Sequence, residues 1–489
     1  MFKRIIIGIA SGYIVKVVQV ACNLMLVPFL VSSSVLGLAG YGYMAVLLAA
    51  VGLIASGLDG WRLATSRRFG LAKTMGEKIY LPLLLITVLP LLICSVIACY
   101  FNQQTLALLG LGQLDSRLIS LLMLYLFFEQ LNALSEQCFH ASAMTWLVNA
   151  VVLCEVVLRT VCLFYFLSDD GSLLDYFFIF VCFMGCKYLF YIVLLAVNGF
   201  VGSLTLQSIK SEWPTFFESL PLSLKSLSVF SVFRVTVIFV NRLFSPELAG
   251  IYSILMVTLR GYITQLFISV IRPMIIPLTA SIDILALNDS RRKLLISTLN
   301  SFDFVVILST VLLAIMSPIW LPLWLPIDVN EFLGLFMLGI IALGLEASTS
   351  VKNLLLISQG HGVVLTKVTV LAAISYLVYL VGTTQLLATL TITWLFFGVL
   401  AFIVLVSGIL IPWLFESKLL RNGSVGLLKS LTFSLTTMLT VLVVSTFNLY
   451  GLIYLLPASV LLLILYFLLV YNPLNDGYLR EKLSNLVSQ

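Results

Sequence analysis

Apolar runs of about twenty residues recur from one end of this chain to the other, separated by short polar turns. Runs of that length fit helices that cross a hydrocarbon core about 30 Å thick. Outer-membrane barrel strands would instead alternate apolar and polar residues over segments of about ten. The pattern therefore predicts an all-α polytopic membrane protein with about fourteen transmembrane helices. The spans are expected near 5–31, 35–58, 79–99, 118–139, 146–167, 175–200, 220–240, 249–276, 301–325, 331–357, 363–382, 386–411, 427–448 and 451–471. Lys3 and Arg4 precede the first, as in a signal peptide, but its apolar stretch outruns the roughly 7–15-residue core of such a leader. It is read as a span.

Composition supports the same class. With 61% of its 489 residues hydrophobic and only 10% charged, the chain is too apolar for a soluble fold of this length. Its eight cysteines lie in or at the ends of apolar runs, with only Cys182 and Cys186 loosely paired, and read as small core hydrophobes.

The basic residues sort by loop. Loops after odd-numbered spans carry almost none, whereas those after even-numbered spans hold Arg62, Arg67, Arg68, Lys73 and Lys78, then Lys210, then Arg272, Arg291, Arg292 and Lys293, then Lys418 and Arg421. The tail adds Arg480 and Lys482. Positive charge stays on the cytoplasmic side, so both termini are expected in the cytoplasm and the net +6 is a topology signal rather than a mark of nucleic-acid binding. The basic loops also suit anionic lipid head groups, at about 1 kcal/mol per residue near the surface.

No loop exceeds about twenty-five residues and none holds a globular insertion, whereas a membrane-embedded glycosyltransferase or polymerase needs a sizeable external loop or a carboxylate cluster, and only two histidines are present. No catalytic constellation, phosphate-cradling glycine loop, metal site or cofactor motif can be read, so an enzyme is not expected.

An internal repeat is visible at an offset of 210, where Leu38-Ala39-Gly40 lines up with Leu248-Ala249-Gly250 and Arg62 with Arg272. His140 and His361 follow the fourth and tenth spans at matching places. Six spans per repeat is an even number, so the halves share orientation and are related by a pseudo-two-fold along the membrane normal. The expected organisation is an N-lobe of spans 1–6 (1–205), a C-lobe of spans 7–12 (206–412), and spans 13–14 with a cytoplasmic tail (413–489).

The chemistry is in the charges left inside apolar runs. A mid-membrane arginine costs about 2.5–3.5 kcal/mol on insertion scales, so it persists where it lines a wet cavity, finds a partner or serves function. Arg234 and Arg260 lie on consecutive spans, and Lys16 lies near the middle of the first. With Arg62 and Arg272, matched by the repeat, they form the candidate substrate-binding set for an anionic ligand. Bracing of buried acids is the competing reading. Glu155 and Arg159 stand four apart, as an intrahelical pair should. Lys187 can answer Glu129 or Glu136, and Glu346, taken as the second lobe's lone deep acid, can answer Arg260. Glu129, Glu136 and Glu346 are also the candidates for ion coupling, by proton or sodium.

Three stretches carry a family resemblance. LGLAGYGYMAVLLAAVGLIASGLDGWRLATSRRFG (Leu36 to Gly70) resembles the second span and following loop of bacterial polysaccharide flippases. PELAGIYSILMV (Pro246 to Val257) is similar to the opening of their second lobe, and ISQGHG (Ile357 to Gly362) to the turn after span ten. The family lies in the multidrug, oligosaccharidyl-lipid and polysaccharide flippase superfamily. The resemblance implies a two-lobed carrier in the bacterial cytoplasmic (inner) membrane. Its expected cargo is an undecaprenyl-pyrophosphate-linked oligosaccharide, an O-antigen repeat unit for lipopolysaccharide, moved to the periplasmic leaflet by alternating access. Contact with a polysaccharide polymerase is left open.

The nearest rival is a cation-coupled drug antiporter of the same superfamily. Such a carrier should place an acid deep in its first spans, where this chain has Lys16. A membrane-embedded polymerase or acyltransferase lacks its external loop here, and a non-transporting scaffold would not need so many buried charges.

Overall fold

The computed structural model describes residues 2–415 except 76, 143, 169–170, 203, 268–288, 329–331 and 387–391, together with 417–418. The regular structure of the described residues is all helical, with no strand among them. Among the described residues ten helices are long and apolar enough to cross a membrane, and an eleventh candidate is a pair bent by 68° at Met316. The chain divides into two compact units, Met1–Ile254 and Leu255–Gln489.

The first unit holds α1 (Phe2–Val31), α2 (Gly37–Gly57), α3 (Asp59–Met75), α4 (Tyr80–Tyr100), α5 (Asn102–Leu108) and α6 (Arg117–Ala141). It continues with α7 (Thr145–Phe166), α8 (Leu173–Val197), α9 (Leu206–Leu243) and α10 (Pro246–Ser253). Local chemistry sets several starts. Ser172 with Asp175, and Thr205 with Ser208, form reciprocal caps at α8 and α9. Ser245 caps α10 and Pro246 follows at its first position, where the missing N–H costs nothing.

α3 was not expected, because 59–79 reads as a charged loop when only long apolar runs are sought. Its apolar positions are nevertheless spaced for one helical face: Trp61, Thr65, Phe69 and Ala72 are all buried. Trp61, Phe69 and Ala72 join Tyr80, Leu83, Phe139, Tyr191 and Leu195 in one cluster, and burying an aromatic side chain of this kind contributes about 1.5–3 kcal/mol. The Trp61 indole donates to Thr87 Oγ1 at 2.8 Å and its ring meets Phe216 edge-on.

The Leu-Ala-Gly openings expected to be equivalent pack against each other. A Cβ on Gly42 would stand 1.8 Å from the Pro246 carbonyl oxygen, and one on Gly250 would stand 3.0 Å from that of Leu38. α2 and α10 therefore approach backbone to backbone, which only small residues allow.

A π-helical segment, Ile254–Leu259, leads from α10 into the second unit and α11 (Arg260–Phe267). Beyond it come α12 (Asp289–Ile315), α13 (Ser317–Trp324), α14 (Leu333–Ser358), α15 (Gly362–Leu386), α16 (Ile392–Ile403), a second π segment (Val404–Leu410) and α17 (Ile411–Phe415). α14 is the core helix of this unit, packed by α11, α12 and the helices after it. It ends at the ISQGHG turn, where Gly360 takes a left-handed φ of 83° and the His361 N–H reaches back to the Leu356 carbonyl at 2.9 Å. Expected span eight is described only to Phe267, and spans thirteen and fourteen with the tail lie outside the described residues.

Candidate functional site

In the first unit, α6 presents Glu129 and Glu136 to bases on the neighbouring α3 and α8. Arg62, near the start of α3, reaches Glu129 Oε1 at 3.2 Å, Asp59 Oδ1 at 3.4 Å and Gln130 Oε1 at 3.3 Å. Two turns along α6, Glu136 Oε1 takes the Lys187 ammonium of α8 at 2.7 Å and the Tyr191 hydroxyl at 3.3 Å. Of the two partners open to Lys187 from sequence, the structure selects Glu136. Glu155 and Arg159 form the expected intrahelical pair on α7 at 2.5 Å, with the guanidinium 4.2 Å over the Phe180 ring.

Lys16 differs from these. It is half-buried on α1, donates to Gln19 Oε1 at 3.0 Å, and forms no ion pair among the described residues. Glu136 and Lys187 both act on it through their fields without touching it. Arg234 lies against the backbone of α2, with Nη1 donating to the Leu48 carbonyl at 3.3 Å and the guanidinium 5.3 Å over Phe230. Gly52 makes the room, since a Cβ there would stand 0.6 Å from Nη1.

In the second unit, Arg260 grips Glu346 with both arms of its fork, Nε to Oε2 at 2.7 Å and Nη2 to Oε1 at 2.5 Å. This is the partnership the sequence suggested. Glu346 is not the unit's lone deep acid, however: Asp303 on α12 is buried and pairs with Lys352 on α14. Arg272 lies outside the described residues.

Sequence reasoning missed Asp303, Lys352 and the buried Lys225 of α9. Asp303 and Lys352 sit within a few turns of the ends of their expected spans, where charge is ordinarily interfacial. It also missed Arg68, which leaves α3 to hold Glu212 through Nε at 2.9 Å and Nη2 at 2.7 Å, and Glu77 at 2.8 Å. Glu212 is 0% exposed, and its bonds push the Arg68 guanidinium above its ordinary range. Beyond the far end of α4, Arg117 holds the Asp115 carboxyl below the usual carboxylate range.

No protein-family model matches the chain, and no curated protein matches it in sequence. Its fold is similar to solved ones. An outward-facing multidrug resistance MATE family transporter of the MOP superfamily aligns with TM-score 0.51 and 16% identity, over 83% of this chain and 93% of that one. The eukaryotic MATE transporter AtDTX14 aligns with TM-score 0.51 and 12% identity, over 88% and 96%. A chain named protein A aligns with TM-score 0.59 and 15% identity, over 85% and 95%. At these identities the likeness establishes the fold, an all-α multi-helix membrane architecture shared with MATE transporters.

Proposed function

We propose that this protein is a flippase that carries an undecaprenyl-pyrophosphate-linked oligosaccharide, an O-antigen repeat unit, from the cytoplasmic to the periplasmic leaflet by alternating access. The observation that carries this reading is Lys16, a half-buried cation within the first span with no carboxylate partner among the described residues. A pyrophosphate supplies the missing negative charge. Arg62, Lys187 and Arg234 stand in the same unit, where Arg62 holds Asp59 and Glu129 and Lys187 holds Glu136, so those acids are already engaged by other bases. The cargo is set by this chemistry and by the resemblance of Leu36 to Gly70, Pro246 to Val257 and Ile357 to Gly362 to polysaccharide flippases. The same reading puts both termini in the cytoplasm and divides the chain into lobes at 1–205 and 206–412, with a helix pair following.

A cation-coupled antiporter of drugs or other small molecules is the second reading, favoured by the likeness to a multidrug resistance transporter. The two part on the sign of the cargo's charge. Purified protein in liposomes should move a short-chain polyprenyl-pyrophosphate oligosaccharide between leaflets, measured as access of an external lectin, and should not accumulate a cationic dye under a pH gradient. Dye accumulation without lipid translocation would replace the first reading by the second. Sidedness is tested by reporter fusions: Lys210 and Asn288 should report cytoplasm, Asn102 and Asp328 periplasm.

A further inference from the structure

The Asp303 and Lys352 pair has no place in the cargo argument. The ammonium lies 2.5 Å from Asp303 Oδ2, with 6% of the aspartate side chain and 16% of the lysine side chain exposed. The other carboxylate oxygen, Oδ1, is buried and has no hydrogen-bond partner among the described residues. An ionised carboxylate removed from water needs donors at both oxygens, and a brace between two helices would be expected to supply them. Half of this one is left open.

The open oxygen suits a proton better than a metal cation. A metal cation at Oδ1 would need several further oxygen ligands, and no group of three or more Asp, Glu, His or Cys side chains able to hold one occurs among the described residues. A proton binds one oxygen and needs no coordination shell. The site is also near an exit: Lys352 lies six residues before the end of α14 at Ser358, roughly 9 Å along the helix axis. α12 begins on the face where α14 ends, because the two are successive spans. Among the described residues, the charged groups on the two elements packed most closely against α12 are Lys352 itself and Glu346, which Arg260 holds, both on α14; α13 has none.

We infer that Asp303 is a reversible proton-binding site whose occupancy breaks its ion pair with Lys352. A proton entering from water forms an O–H bond at Oδ1, the carboxylate becomes neutral, and the pair passes from net zero to one positive charge on Lys352. Resting on the flippase reading, protonation would then favour the state that binds an anionic cargo, and cargo would favour protonation by the same factor.

The test uses full-length protein in lipid and pH-difference infrared spectroscopy. Lowering the pH should develop, within the protonated-carboxyl absorption of wild type, a component band that subtraction shows to be absent in Asp303→Asn and in the charge-balanced Asp303→Asn/Lys352→Met, each variant being confirmed to unfold in a single cooperative transition. Lys352→Met alone should keep the band and change the pH at which it develops. The same band in Asp303→Asn would overturn the assignment, and so would suppression of the wild-type band by sodium at fixed pH. In liposomes, Asp303→Asn should lose at least roughly tenfold of the stimulation of lipid translocation by a pH gradient. Wild type that shows the band but moves no lipid would refute the flippase reading and leave the proton site standing.

Discussion

Around α6 the charged side chains of the first unit form a branched network, whereas in the second unit Arg260 meets Glu346 and Lys352 meets Asp303 in two separate ion pairs. In the first unit Arg62 is shared by Asp59 and Glu129, Glu136 by Lys187 and Tyr191, and Lys16 stands by with only Gln19. In the second, Arg260 and Glu346 satisfy each other with two bonds, and Lys352 faces Asp303. Removing one member of a closed pair strands its partner, while removing one member of a network lets the others redistribute. The two arrangements therefore separate stability from function: the second unit should be fragile to single charge removal, and the first should show its losses in transport.

The sharpest break of this comparison is Arg260→Ala. Glu346 would be left as an uncompensated buried charge, a cost of about 3–5 kcal/mol, and membrane abundance should fall steeply. Arg260→Ala/Glu346→Ala should restore abundance, because neither charge then needs the other. In the network, Lys187→Met should cost less, roughly 1–3 kcal/mol, since Glu136 keeps the Tyr191 hydroxyl and the field of Lys16. Immunoblots of membranes and thermal melts of purified variants measure both. Equal losses from Arg260→Ala and Lys187→Met would erase the distinction between pairs and network.

An intermediate effect is expected at Gly52. Alanine there puts a methyl group where Arg234 Nη1 lies, so the guanidinium must leave the α2 backbone, at about 1–3 kcal/mol. The sign reverses without the arginine. In an Arg234→Ala background the same Gly52→Ala change should stabilise by about 0.5–1 kcal/mol, the ordinary gain for alanine over glycine inside a helix. Destabilisation in both backgrounds would mean that the notch serves packing with something other than Arg234.

The multi-span helical fold was legible because apolar run length is set by the bilayer and survives any choice of partner. Short-range pairs were legible too, since Glu155 and Arg159 are fixed by helix periodicity. α3 was missed because its apolar stripe, Trp61, Thr65, Phe69 and Ala72, is interleaved with charge and too short for a run-based search. Asp303 with Lys352, and Arg68 with Glu212, are separated by 49 and 144 residues, and no local pattern joins them. The notch at Gly52 illustrates the same limit: a glycine in an apolar helix has many readings until a side chain from another helix is found over it. Arg272 lies outside the described residues, and its expected role rests on the repeat alone.

The smallest effect on stability is expected from Lys16→Ala, and that smallness is what makes it informative. Lys16 has no carboxylate to strand, and its loss returns an apolar helix to apolar packing, so abundance should stay within about 0.5 kcal/mol of wild type. Transport should behave differently. A lysine about 4 Å from a phosphate is worth on the order of 4 kcal/mol at an effective dielectric of 20, before desolvation is subtracted. Even a third of that corresponds to roughly a tenfold loss in lipid translocation. Lys16→Arg should keep most activity because the charge is kept, whereas Lys16→Gln should not. Leaflet translocation per unit of membrane protein is the measurement. A Lys16→Ala protein that loses abundance as Arg260→Ala does would place Lys16 among the braces, and one that keeps full translocation would remove the anion-binding argument from the first span.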